Sequence, residues 1–226
     1  MNGSESGDFS RVNRPLAQGA AYYSRLAPWY DLLAASEKKF IWMGLDLLDP
    51  QPGENILEIG FGTGAAQGKL IPAVKSGLSV GVDLSIGMAS WAKRKLERAN
   101  LASQALLVCS DSLPLPFCRN AFQGLFSSFT LELFDTPQIP QLLAECRRVL
   151  VPGGRLVAVS LSKDQPLGAM GRLYERFHDR FPTLADCRPI PLRQILESNG
   201  FKVKEFEIGK MWGLLVSLVS ATCRHS

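Results

Sequence analysis

Short apolar runs alternate with longer stretches of helical period along most of the chain. Asn55–Ile59 is a short apolar run closed by glycines, and residues 65–74 after it have helix-forming composition. The unit recurs as strand 78–82 with helix 86–100, strand Ala105–Cys109, strand 124–128 with helix 139–150, and strand 155–161. Strands alternating with helices predict an α/β fold, a doubly wound parallel sheet with right-handed crossovers. Upstream, apolar positions from Tyr23 to Leu48 recur at helical spacing and are interrupted by Pro28. They predict a helical cap over 21–48, behind a mobile polar tail over 1–20.

The end of the chain has a different rhythm. Residues 191–199 read as a helix stopped at Gly200, and two strands follow, 201–208 and 211–221. Only Gly209 and Lys210 separate them, so they are expected to form a hairpin and to make the last strand antiparallel. The stretch 163–189 holds no core strand and is expected to be an insertion within a single domain spanning 21–226.

Composition narrows the function classes. A 226-residue chain with 46% hydrophobic and 20% charged residues suits one globular α/β domain rather than a disordered or membrane-embedded one. The net charge of +4 is mild and dispersed, which argues against nucleic acid as a partner. Five cysteines without C-x-x-C spacing argue against a disulfide framework and a zinc site, so no metal is expected. The polar start carries no secretory signal, the apolar 211–223 stretch is too short to span a bilayer, and the expected location is the cytoplasm.

The candidate chemistry begins at Glu58-Ile-Gly60-Phe61-Gly62-Thr63-Gly64, where the first strand gives way to a helix. Glycines there permit a sharp turn and bring backbone amides close to an anionic group. That group is pyrophosphate in a dinucleotide enzyme and the methionine carboxylate in one that uses S-adenosylmethionine (SAM). The glycine spacing also satisfies the permissive dinucleotide pattern. Glu58 separates the two, since its carboxylate would repel pyrophosphate yet suit the ammonium of SAM. Asp83 closes the second strand, where a carboxylate can accept both ribose hydroxyls. The plainer reading of Asp83 is a helix N-cap, a role that Ser85 could take instead. Asp111 and Ser112 follow the third strand, placed to read the amino edge of adenine, with Leu113 and Met88 over its faces. Asp111 alone would read equally as a turn opener.

These motifs resemble the class I SAM-dependent methyltransferases, and within them the type 11 group that includes the ubiquinone and menaquinone C-methyltransferases. Residues 56–64 resemble motif I, Gly81-Val82-Asp83-Leu84-Ser85 with Met88 the second-strand motif, 110–117 the third-strand motif, and 148–155 the turn before the fifth strand. The resemblance implies a Rossmann-like seven-stranded sheet in the order 3-2-1-4-5-7-6 with strand 7 antiparallel, in agreement with the terminal hairpin. It implies SAM as cofactor and S-adenosylhomocysteine (SAH) as product. The cofactor residues it implies are Glu58, Gly60, Phe61, Gly62, Thr63, Gly64, Asp83, Leu84, Met88, Asp111, Ser112 and Leu113, with Ser128 and Phe129 after the fourth strand. Tyr30, in a Tyr-Asp pair like that of the quinone enzymes, would lie over SAM. The Asn-rich stretch those enzymes carry after the fourth strand is here Ser128-Phe-Thr-Leu-Glu-Leu-Phe134, a departure that bears on the acceptor.

Methyl transfer needs a collinear nucleophile, methyl and sulfur, plus a base if the nucleophile carries a proton. The acceptor is expected above the carboxyl ends of the strands, beneath the cap and the insertion. His178 in the insertion is the candidate base, with a solvated helix-face histidine as the plainer alternative. The aromatics Tyr22, Tyr23, Trp29, Tyr30, Phe40 and Trp42 suit a phenol or lipid-tailed quinol, although helical spacing also suits core packing. The expected partner is thus a small-molecule methyl acceptor, with transient membrane-surface contact if it is a lipid, and the protein a monomer or homodimer. The competing readings are a non-catalytic SAM-binding protein, an NAD-dependent oxidoreductase, and an arsenite methyltransferase using Cys109, Cys118 and Cys187. No tyrosine has a lysine four residues on, which counts against a short-chain dehydrogenase.

Overall fold

β1 (Asn55–Ile59) is the middle of the sheet, and its alternating side chains serve two cores. In the computed structural model, which describes residues 34–166, 168–180 and 187–223, Ile56 packs on one face with Phe126 and Val157. Leu57 packs on the other with Leu125 and Leu156. A period of two with both faces apolar is what a sheet covered on each side requires. The first face is covered by α1 (Glu37–Leu48) and α2 (Gln67–Val74), the second by α4 (Gln138–Val149) and α6 (Leu192–Ser198). Leu48, Leu70, Leu142 and Leu196 are fully buried in these layers. Each contributes about 1.5–3 kcal/mol relative to leaving the same side chain in water.

The remaining elements are β2 (Leu78–Asp83), α3 (Ile86–Arg98), β3 (Ala105–Cys109), β4 (Phe122–Ser128), β5 (Leu150–Leu161), α5 (Ala169–Arg180), β6 (Phe201–Met211) and β7 (Leu214–Cys223). The strand order is β3-β2-β1-β4-β5-β7-β6. β1 to β5 pair in parallel, whereas β7 runs antiparallel to both β5 and β6. This is the expected order. The chain leaves β1 toward β2 on one side and returns to β4 on the other, so the crevice lies between the carboxyl ends of β1 and β4.

Two boundaries differ most from the sequence reading. The hairpin turns at Trp212 and Gly213, not at Gly209 and Lys210, and both turn residues have positive φ (51° and 81°). That conformation matches the twist of the flanking strands. Gly209 instead lies inside β6, because the ring of Phe40 occupies the space a Cβ would fill. Gly209→Ala is therefore expected to destabilise the fold by about 1–3 kcal/mol, read as a lowered melting temperature. β5 begins at Leu150, ahead of the expected 155, since Leu150 pairs with Phe122 before an irregularity in the register. The expected tail (1–20), Tyr30 and the first part of the cap lie outside the described residues. Among the described residues no helix is long and apolar enough to cross a membrane.

Candidate functional site

The glycine turn is built by positive φ at Gly60 (76°), Gly62 (51°) and Gly64 (77°). Gly60 donates its N–H to the Val82 carbonyl at 2.8 Å, tying the turn to β2. A Cβ on Gly60 would overlap the side chain of Thr130, so the turn is pressed against the segment that follows β4. The Gly62 N–H donates to Asp83 Oδ2 at 2.8 Å, and the Ser85 N–H donates to Asp83 Oδ1 at 2.8 Å. Asp83 thus braces the turn and the approach to α3. Burial pushes its carboxyl up despite these amide bonds. Ser85 caps α3 by accepting from the Met88 N–H.

Glu58 lies at the foot of the turn and is 2% exposed. Its Oε2 accepts from Gln67 Nε2 at 2.8 Å, and Gln67 Oε1 in turn accepts from the Ser79 hydroxyl at 2.8 Å. Burial raises the Glu58 carboxyl to about 8 against the Gln67 hydrogen bond, with the charge of Asp83 adding to the rise. A buried carboxyl in this state gains most from a cation brought to it. Glu58, Gly60, Gly62 and Ser128 line a pocket whose far wall is Glu37 and Ile41 of α1, so the cap helix reaches the glycine turn.

Phe61 and Thr63 also line this pocket, though the Phe61 ring packs over Gly81. Met88 is buried, and Leu84 is half-buried at the end of β2. Beyond β3, Asp111 is exposed and its Oδ1 accepts from the Leu113 N–H at 3.2 Å, the bond of a turn opener. Ser112 beside it is buried with φ 64°. After β4, Phe129 is buried with φ 49° and donates its N–H to the Val159 carbonyl.

On the other side of the crevice the segment after β4 makes a single short turn, Leu131–Leu133. Glu132 in it is fully buried, and one oxygen accepts from the Leu161 N–H at 3.2 Å. Arg188, also fully buried, donates to the main-chain carbonyls of Glu132 (3.3 Å) and Phe134 (2.7 Å) and to Thr136 Oγ1 (3.0 Å). It fastens the end of the insertion to this turn. His178 on α5 is buried, not solvated, and is not among the residues lining the pocket at the glycine turn. Cys109 and Cys118 are exposed and Cys187 half-buried. Among the described residues no three His, Cys, Asp or Glu side chains gather, so the thiols form no cluster.

A methyltransferase domain model matches residues 56–154, from β1 into β5. The ubiquinone/menaquinone biosynthesis C-methyltransferase of Paracoccus denitrificans is 29% identical over 160 residues, 69% of this chain and 63% of that protein. The demethylmenaquinone methyltransferase of Renibacterium salmoninarum is 30% identical over 149 residues, 63% of this chain and 58% of its own length. Residues 56–154 thus resemble a methyltransferase domain, and the chain is similar to these C-methyltransferases. The match spans less than two thirds of the length of these curated relatives. The solved structure of the [4+2]-cyclase SpnF shares the fold, with a TM-score of 0.76 at 16% identity over 96% of this chain and 100% of that one.

Around this crevice, sequence reasoning overlooked Gln67, Thr130, Glu132 and Arg188. Gln67 lies within helix-forming composition, and nothing local announces that it supports Glu58. Arg188 and Glu132 are 56 residues apart, so their contact is created by the fold alone.

Proposed function

We propose that the chain binds SAM across the crevice between β1 and β4 and transfers its methyl group to a small aromatic or lipophilic acceptor. The observation that carries this reading is the buried Glu58 carboxyl beside the glycine turn, opposite the brace of Asp83. In this reading Glu58 takes the methionine ammonium, and the turn at Gly60, Gly62 and Gly64 takes the carboxylate. Asp83 accepts the ribose hydroxyls. Asp111, Ser112 and Leu113, with Leu84 and Met88, hold adenine. Phe61, Thr63, Ser128 and Phe129 complete the walls, and Tyr30 closes over the cofactor.

Little covalent machinery is needed, because the protein's task is to hold sulfur, methyl and acceptor atom in line. The acceptor side is supported by the quinone-directed names of the relatives, while the departure at 128–134 counts against an acceptor identical to theirs. His178 is carried as a base from the insertion. Labelled methyl from SAM should appear in a lipid-tailed hydroquinone or a simple phenol. SAM binding without transfer to either would favour a non-catalytic SAM-binding protein. For His178, unchanged turnover in His178→Ala from about pH 6 to about pH 9 would remove it from the mechanism.

A further inference from the structure

Glu132 is fully buried at the carboxyl end of the sheet, yet its second oxygen, Oε2, has no hydrogen-bond partner among the described residues. Such an atom is rare in a native interior, since an unmade bond there costs about 1–3 kcal/mol. Its surroundings are specific. The first oxygen is held by the Leu161 amide at the end of β5. Arg188 grips the neighbouring carbonyls and Thr136, which fixes the turn without serving Oε2. Two residues before it, Thr130 packs on Gly60 of the glycine turn. The charge of Glu37, which lines the cofactor pocket from α1, is also felt at Glu132. Glu132 therefore sits in the turn that follows β4, behind the Ser128 end of the pocket and two residues from the Thr130 contact with the glycine turn.

We infer that Glu132 is the proton-handling group of the methyl-acceptor site, and that the acceptor presents it with a hydroxyl, as a phenol or hydroquinone does. This rests on the methyl-transfer reading above. In the step, the hydroxyl proton passes to Oε2 as the acceptor oxygen, or the ring carbon it activates, forms its bond to the methyl carbon. The methyl–sulfur bond breaks, and its electron pair returns to sulfur, leaving the neutral thioether. If carbon is methylated, the ring proton leaves afterwards to solvent and aromaticity is restored.

Burial raises the Glu132 carboxyl to about 8, with Glu37 adding to the rise and the Leu161 amide and Arg188 opposing it. The carboxylate form needed to take a proton thus fills in as pH rises through about 8, and the transfer rate should climb with it. The Glu132→Gln variant keeps the shape and removes the titration.

The test measures methylhydroquinone binding to the SAH-loaded protein, and methyl transfer to it from SAM, between about pH 6 and about pH 9. Wild type is expected to bind the probe and to show the rise in rate. Glu132→Gln is expected to bind SAM within about twofold of wild type, to lose about a hundredfold in transfer, and to show a flat profile. Glu132→Asp, which keeps a titrating group one methylene short, stands in if the glutamine variant melts at low temperature, and should retain the pH dependence at a reduced rate. Transfer within about twofold of wild type in Glu132→Gln, or no probe binding to SAH-loaded wild type, would overturn the assignment. Failure of wild type to bind SAM at all would instead remove the reading on which it rests.

Discussion

Glu58→Gln is expected to weaken SAM binding by roughly 30-fold or more, about 2–5 kcal/mol, while making the ligand-free protein more stable at alkaline pH. The two effects have one cause. The carboxyl is 2% exposed and raised from an ordinary 4.5 to about 8, so the folded chain keeps a proton that the unfolded chain has released. Stability accordingly falls as pH rises from about 4.5 toward about 8 and is level beyond. The amide cannot ionise, and its oxygen can still accept from Gln67, so the variant escapes that loss. It also lacks the charge that the SAM ammonium would meet. Melting curves at about pH 6 and about pH 9, with calorimetric titration of SAM, read both effects. At about pH 7 wild type should release a proton on binding, seen as heats that depend on the buffer, and the variant should not. A variant no more stable than wild type at the higher pH would mean that Glu58 is ionised without strain.

Asp83→Ala is expected to lose SAM binding by about a hundredfold or more. Its carboxylate is the brace of the turn, taking the Gly62 and Ser85 amides at 2.8 Å each. Removing it leaves two partly buried N–H groups without their acceptor, at about 1–3 kcal/mol of stability, besides the ribose hydroxyls it would hold. Asp83→Asn separates the contributions, because its one carbonyl oxygen can keep only one of the two amides. Asn should recover part of the lost stability and less of the lost affinity.

Much of this was legible because β1, β3 and the helix starts carry local signals. Asn55–Ile59 and Ala105–Cys109 were read with their observed ends, and the glycines of the turn have the positive φ their spacing implied. Misreadings arose where a distant residue decided the outcome. Gly209 looks like a turn residue, yet it serves as a seat for the Phe40 ring. The real turn uses Trp212 at positive φ, a residue type that does not advertise it. Helix-like polar spacing left His178 open to solvent, whereas tertiary packing buries it. The turn-opener reading of Asp111, by contrast, was local and legible, and its Oδ1 accepts from the Leu113 N–H. The acceptor side was least legible, since the Glu132 to Arg188 contact exists only after the insertion has folded back on the β4 segment.

The central claim is that this crevice is a SAM site, and calorimetric titration of the wild-type protein with SAM, SAH and NAD tests it most directly. The account predicts binding of SAM and SAH in the micromolar range, about 8 kcal/mol, with no heat from NAD. Binding of NAD, or of none of the three, would contradict it.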